Sequence, residues 1–313
     1  MQRKTINAMS GFREAPWQNF GKVSNKGFDG NIVFKQNIDK VMLIFRGNVT
    51  YAKNKIIEYD EVPPMYAYQT YTGHSMSTPI LYIADGLYTP DDFDVVADPA
   101  TGAKTYTLKE GLPKPAASVM PGDIKYRDLN GDKVIDDYDR TYDNGFYSPN
   151  PEWVYGFGLS GEWKGFYAGV FFQGVANASI NIKSGSFIPF QDGDMQAVRK
   201  EVLKSHWSSN DPYNQNVMFP RLRPDNYSHN SMNSTWWYRS GNFLRLKNIE
   251  LGYEFDSKLL SRHWIKRARI YAQGTNIAVW DDIKMWDPEL GSANGGQKYP
   301  LNMTWTFGLE LGF

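Results

Sequence analysis

Between Asp128 and Asp139 the chain reads Asp-Leu-Asn-Gly-Asp-Lys-Val-Ile-Asp-Asp-Tyr-Asp. Asp128, Asn130 and Asp132 stand at loop positions 1, 3 and 5, Val134 brings a carbonyl at 7, and Asp139 stands at 12. Hard oxygen donors at this spacing wrap Ca²⁺. Lys133 replaces the glycine expected at the sharp turn, and Asp139 is shorter than the usual bidentate Glu. No helical pattern flanks the loop. The spacing predicts a structural Ca²⁺ held by Asp128, Asn130, Asp132, Val134 and Asp139. The alternative is an acidic Asn-Gly turn without metal.

Other reactive types are placed without catalytic pattern. His74, His206, His229 and His263 show no zinc spacing. Gly156 to Gly161 matches GxGxxG, but its glycines alternate with Tyr155, Phe157 and Leu159, which is a strand rather than a strand-to-helix turn. Nucleophile elbows and Walker loops are missing from the sequence, and no cysteine is present. The sequence therefore predicts no enzyme. Paired acids are plentiful but, without geometry, say nothing about glycosidic cleavage; a glycoside hydrolase, the one catalytic alternative, would need inward carboxylates at a fixed separation. Aromatics are another matter. Trp207, Tyr227, Trp236, Trp237 and Trp280 are candidate stacking platforms for a sugar or peptide, with packing of the loops as the plain alternative.

The elements that must position these residues are strands. Residues 301–313 put Met303, Trp305, Phe307, Leu309, Leu311 and Phe313 on one face and Asn302, Thr304, Thr306, Gly308, Glu310 and Gly312 on the other. Period-2 alternation makes a strand with one apolar side. Aromatic ends around an aliphatic middle fit a lipid-facing strand with rings at the two interfaces. One such strand alone fits a soluble sandwich as well. Six further segments alternate: 28–35, 41–51, 153–160, 166–175, 243–255 and 268–277. The phase slips near Lys247-Asn248, which predicts a bulge. The links at 37–40, 162–165 and 256–267 are short, whereas about 53–151, 176–241 and 278–300 are long. Strict alternation of short and long links is the rhythm of a membrane barrel, with short turns on one side and long loops on the other. In the second long link, Asp194 is a candidate cap for a helical turn carrying Met195, Val198, Val202 and Leu203.

Composition agrees with strands and turns: 313 residues, 15% aromatic, 28 glycines, and 34 basic against 34 acidic side chains. That balance leaves no electrostatic footprint for nucleic acid. No apolar run of about 18 residues exists for a transmembrane helix. Residues 1–10 lack the apolar region of a signal peptide. An exported protein of this sequence would carry its signal elsewhere, in a longer chain.

The segment Pro121 to Arg140, followed by Pro149-Asn-Pro-Glu-Trp-Val-Tyr-Gly-Phe-Gly158, resembles the C-terminal barrel region of the SusC/RagA family of TonB-dependent outer-membrane transporters. Asn25 to Phe28, Ala84 to Leu87, Val170 to Gly174, Phe243 to Tyr253 and Trp286 to Glu289 support it in the same order. The resemblance implies a barrel of about 22 strands, an N-terminal plug, a TonB-contacting segment and a SusD-like lipoprotein lid. It implies import of oligosaccharide or peptide ligands across the outer membrane of a Gram-negative, Bacteroidetes-like cell.

The expected fold is thus all-β: an antiparallel transmembrane barrel segment of seven or eight strands, incomplete as a barrel, with long extracellular loops. The whole of 1–313 is read as the C-terminal part of the receptor, without plug or TonB segment, and its outer face meets lipid. The rival from another class is a secreted β-rich carbohydrate-binding module or adhesin with a calcium-stapled loop.

Overall fold

The computed structural model describes residues 2–3, 8–11, 13–14, 17–183, 188–190, 198–223, 227–255 and 264–313. Seven long strands carry the fold: β1 Lys22–Ile38, β2 Val41–Glu58, β3 Trp153–Trp163, β4 Phe166–Ala176, β5 Phe243–Glu254, β6 Arg267–Asp281 and β7 Thr304–Gly312. They form one sheet in chain order, each antiparallel to the next. β1 and β7 are its edges. No eighth strand joins among the described residues; Gln2–Arg3 pairs only with Trp17–Gln18.

The register decides which residues share a face. Phe28 lies opposite Tyr51 and Tyr51 opposite Trp153. Leu159 lies opposite Phe45 and Val170, and Ile270 opposite Tyr253 and Leu309. All of these belong to the apolar sets of the alternating segments, so one face of the sheet is apolar across seven strands. It is also bare: Ile32 is 57% exposed, Leu251 58% and Phe307 78%. Water does not tolerate such a surface on a monomer.

Aromatic rings mark both ends of this face. Near the long loops, Phe28, Tyr51 and Trp153 cluster, with Tyr51 and Trp153 ring centres 4.4 Å apart. Near the short turns, Trp163 and Phe166 flank the β3–β4 turn, and Phe166 packs on Tyr253 at 4.5 Å. Trp264 stacks on Phe313 at 4.7 Å. Trp153 and Trp163 bound a strand of 11 residues. At about 3.3 Å per residue and a tilt of roughly 45°, the two girdles stand about 23 Å apart along the normal. That matches an apolar band of about 25 Å.

The predicted bulge is present: the β4–β5 and β5–β6 registers both slip at Lys247. Other boundaries moved. β1 and β2 run beyond the apolar pattern through Lys22–Lys26 and Lys53–Glu58, where lysines and asparagines break the alternation and Ile56 is buried. β6 is longer than 268–277, and β7 is shorter than 301–313. The predicted cap Asp194 and Met195, His263, and residues 256–262 of the third short link lie outside the described residues. A five-residue helix, Lys200–Lys204, follows Val198. Its Val202 is buried, whereas Leu203 is 60% exposed, so these two do not share the expected apolar face.

The three long connections, 59–152, 177–242 and 282–303, leave the sheet at one end and pack into a layer with its own core. Short ladders staple it: Leu81–Tyr82 with Arg140–Thr141, Ala84–Leu87 with Ile124–Tyr126, and Ser179–Asn181 with Tyr238–Ser240. Tyr82, Ile124, Tyr126, Ile182, Phe219, Trp237 and Ile283 are buried within it.

Candidate binding layer and inner wall

The face of the sheet opposite the apolar one is polar, and its charges are organised. Arg269 on β6 donates from Nε to the Tyr167 hydroxyl at 2.7 Å and from Nη2 to Glu250 at 3.0 Å. Its guanidinium lies 4.4 Å from the Tyr167 ring centre and 5.3 Å from that of Tyr271. Those rings lie flat over Gly252 and Gly308, where a Cβ would find no room. Phe171 covers Gly156 and Gly158 in the same way. The glycines that mimic a nucleotide fingerprint are therefore seats for an aromatic ring. Arg267 pairs with Glu254 and Glu310 beside this array. A wall of this kind suits a water-filled or protein-filled lumen.

The layer above the sheet is knotted at Asp123, which is fully buried. Its carboxylate accepts two bonds from Arg221, at 3.0 and 2.9 Å, one from Asn230 at 2.9 Å and one from the Met120 amide at 2.8 Å. A buried charge is tolerated when it is paired and hydrogen-bonded to this degree. Gly122, at φ +89, turns the chain beneath the Trp207 ring, with no space for a side chain. His229 donates from Nε2 to the Ile124 carbonyl at 2.7 Å. Burial holds this histidine below its usual pKa despite the Asp123 charge. Burial, followed by the Asp123 charge, raises the Tyr227 phenol.

The five candidate stacking aromatics fall into different environments. Trp207 and Trp237 are 9% and 2% exposed and sit in the core of the layer, their indole N–H groups bonded to the Pro212 and Asn230 carbonyls. Packing explains both. Trp280 lies opposite Leu244 on the apolar face of the sheet, so it joins the ring girdle at the long-loop end. Tyr227 and Trp236 line clefts. Tyr227 borders a cavity of about 70 Å³ with Phe190, Arg221, Arg223 and Ser231. Trp236 borders a more open cleft of about 230 Å³ with Arg239 and Gln215. Neither Asp123 nor Arg239 is marked by a spacing in the sequence. The one signal for Asp123 is its place in the Pro121-Gly-Asp run.

The acidic loop folds into side-chain-to-backbone turns. Asp128 accepts the Gly131 and Lys133 amides at 2.6 and 2.8 Å, Asn130 that of Asp132, and Asp132 that of Val134. Lys133 adopts φ +65, the conformation for which position 6 normally uses glycine. Asp139 is fully buried and accepts the Leu129 and Asp136 amides at 2.8 and 2.9 Å. Burial raises its carboxyl, and the Asp128 charge raises it further. Among the described residues no three His, Asp or Glu side chains converge as a metal cluster.

No protein-family model matches the chain. Curated relatives are TonB-dependent receptors of Formosa agariphila. The chain is 28% identical to receptor P26 over 204 residues, which is 61% of this chain and 20% of that one. It is 24% identical to receptor P3 over 312 residues, covering 95% of this chain and 29% of the receptor. The chain thus spans between a fifth and a third of its relatives' length. Among solved structures, the RagAB peptide importer in its closed-closed state superposes with a TM-score of 0.64 at 18% identity, over 99% of this chain and 32% of that one. A second RagAB structure, of the peptide transporter, gives 0.63 at 19% identity, over 99% and 32%. At that identity the likeness speaks for the fold. Taken with the sequence relatives, it makes this chain similar to TonB-dependent receptors, with the fold of about a third of the RagAB importer chain.

Proposed function

We propose that the chain forms one sector of the wall and outer mouth of an energy-coupled importer in a Gram-negative outer membrane. The observation that carries this is the sheet: an exposed apolar face with aromatic rings at both ends, a charged opposite face, and all long connections at one end. The apolar face meets lipid. The long-loop layer stands outside the cell and meets the ligand, an oligopeptide or an oligosaccharide, beneath a SusD-like lipoprotein lid. TonB supplies the energy through a plug held against the Arg269 wall. Within the outer layer, Asp128, Asn130, Asp132, Val134 and Asp139 would be the donors to a structural Ca²⁺, for which their carboxylates would have to draw together, since no three of them converge as the loop stands.

The rival reading, a secreted binding module, is disfavoured by the same apolar face, which a protein in water would have to cover. Uptake tests the proposal. Cells carrying the gene should accumulate fluorescent oligopeptides or oligosaccharides from the medium, and cells lacking either this gene or TonB should not. Equal accumulation in all three strains would overturn the importer reading.

A further inference from the structure

Arg239 is half-buried in the outer layer, on the short strand Tyr238–Ser240. Its Nη1 donates to two neutral acceptors, the Trp236 carbonyl at 2.7 Å and the Tyr238 carbonyl at 2.8 Å. Among the described residues no Asp or Glu pairs with it, and its Nε–Nη2 edge has no protein acceptor. Arg221, by contrast, is neutralised by Asp123. Desolvating a guanidinium is costly, and carbonyl dipoles offset this less well than a carboxylate does. Burial lowers the Arg239 pKa, in keeping with a missing counter-charge.

The cleft beside Arg239 is rich in donors. Thr235 Oγ1 accepts the Ala84 amide at 2.9 Å, which leaves its hydroxyl proton to give. Gln215 is held on both sides by Leu87, accepting its amide at 2.7 Å and donating to its carbonyl at 3.3 Å. Gly86 brings bare backbone against Gln215, with no room for a Cβ. The indole N–H of Trp236 is spent on the Met218 carbonyl at 3.0 Å, so that residue brings ring surface. Among the described residues no acidic side chain lines the cleft, whose volume is about 230 Å³. A planar fork of free N–H groups, a hydroxyl donor and an aromatic plane together match a carboxylate on a small organic body.

We infer that this cleft recognises a carboxylate of the imported ligand, with the Arg239 Nε–Nη2 edge as its bidentate partner and Trp236 stacking on the atoms beyond. The inference rests on the importer reading and narrows its ligand to acids. Two sources share this chemistry: the free C-terminus of a peptide and a uronic acid of a glycan.

Calorimetry on the protein extracted in detergent from outer membranes tests this. The probes are trialanine and its C-terminal amide, and trigalacturonate and galactotriose. One acid should bind on the order of tenfold more tightly than its neutral counterpart, as expected for a charge-assisted bidentate contact. The pair that shows the preference identifies the source. Arg239→Gln should abolish the preference, and Arg239→Lys should keep part of it. Trp236→Phe retains a ring and should keep the preference too, so loss through misfolding is separable from loss of the guanidinium. Equal binding within both pairs, no binding of either acid, or a preference that survives Arg239→Gln would overturn the inference. Failure of uptake in cells with the preference intact would remove the importer reading and leave the site.

Discussion

At the scale of residues, the molecule separates charges that are neutralised internally from charges that are not. Asp123 belongs to the first group, with Arg221 and Asn230 closing its coordination. Asp128, Asp132 and Asp139 of the acidic loop belong to the second, whereas Asp137 pairs with Arg140. Asp139 is fully buried, yet its neighbour Asp128 is another carboxylate, which works against its ionised form. A divalent cation between them would reverse that effect. Ca²⁺ added to the chelator-treated protein should therefore give a saturable heat of binding and raise the temperature at which the outer layer unfolds. Both signals should vanish in Asp128→Ala with Asp132→Ala. A parent protein giving no heat with Ca²⁺ would end the metal proposal. The sequence displayed this loop openly, because ligand spacing is local. It could not separate Trp207 and Trp237 from Trp236, since burial depends on segments far apart in the chain, such as Gly122 beneath Trp207 and Ala84 against Thr235.

At the scale of elements, the strands were legible where one face meets apolar surroundings, because alternation is then enforced at every second residue. The bulge at Lys247 was legible for the same reason, as a phase slip. The polar outer halves of β1 and β2 were not, and neither were the two- to five-residue ladders of the outer layer, which are too short to show a period. The face assignment makes a paired prediction. Leu159 is 51% exposed on the apolar face near the middle of β3, and Gln273 is on the opposite face of β6 beside Glu250. Leu159→Arg should destabilise the lipid-embedded protein by roughly 2–4 kcal/mol, the cost of a basic side chain at mid-bilayer depth. Gln273→Arg should cost far less, because water and Glu250 receive it. Urea titration in lipid vesicles measures both. Equal costs would mean that the apolar face does not meet lipid.

At the scale of the whole molecule, two cores of different kinds share one chain. The outer layer buries Tyr82, Ile124, Phe219 and Trp237 as a soluble domain does. The sheet turns Phe28, Ile32, Leu251, Phe307 and Leu309 outward, and its edge strands β1 and β7 each pair on one side only. Seven strands make roughly a third of a 22-stranded barrel, in line with the 29–32% of receptor P3 and of the RagAB chains that this chain covers. In water such a sheet exposes both an apolar band and unpaired amides, and open edges pair with one another. In lipid the band is satisfied, but unpaired edge amides find no water, so the sheet is stable only with its edges paired. The 313 residues expressed alone should therefore form large oligomers in plain buffer, by strand pairing through β1 and β7. Detergent should cover the apolar face without fully suppressing that pairing. Size-exclusion chromatography with light scattering distinguishes the outcomes. A monodisperse, folded monomer in buffer would contradict the barrel-wall reading and return the chain to the class of secreted binding modules.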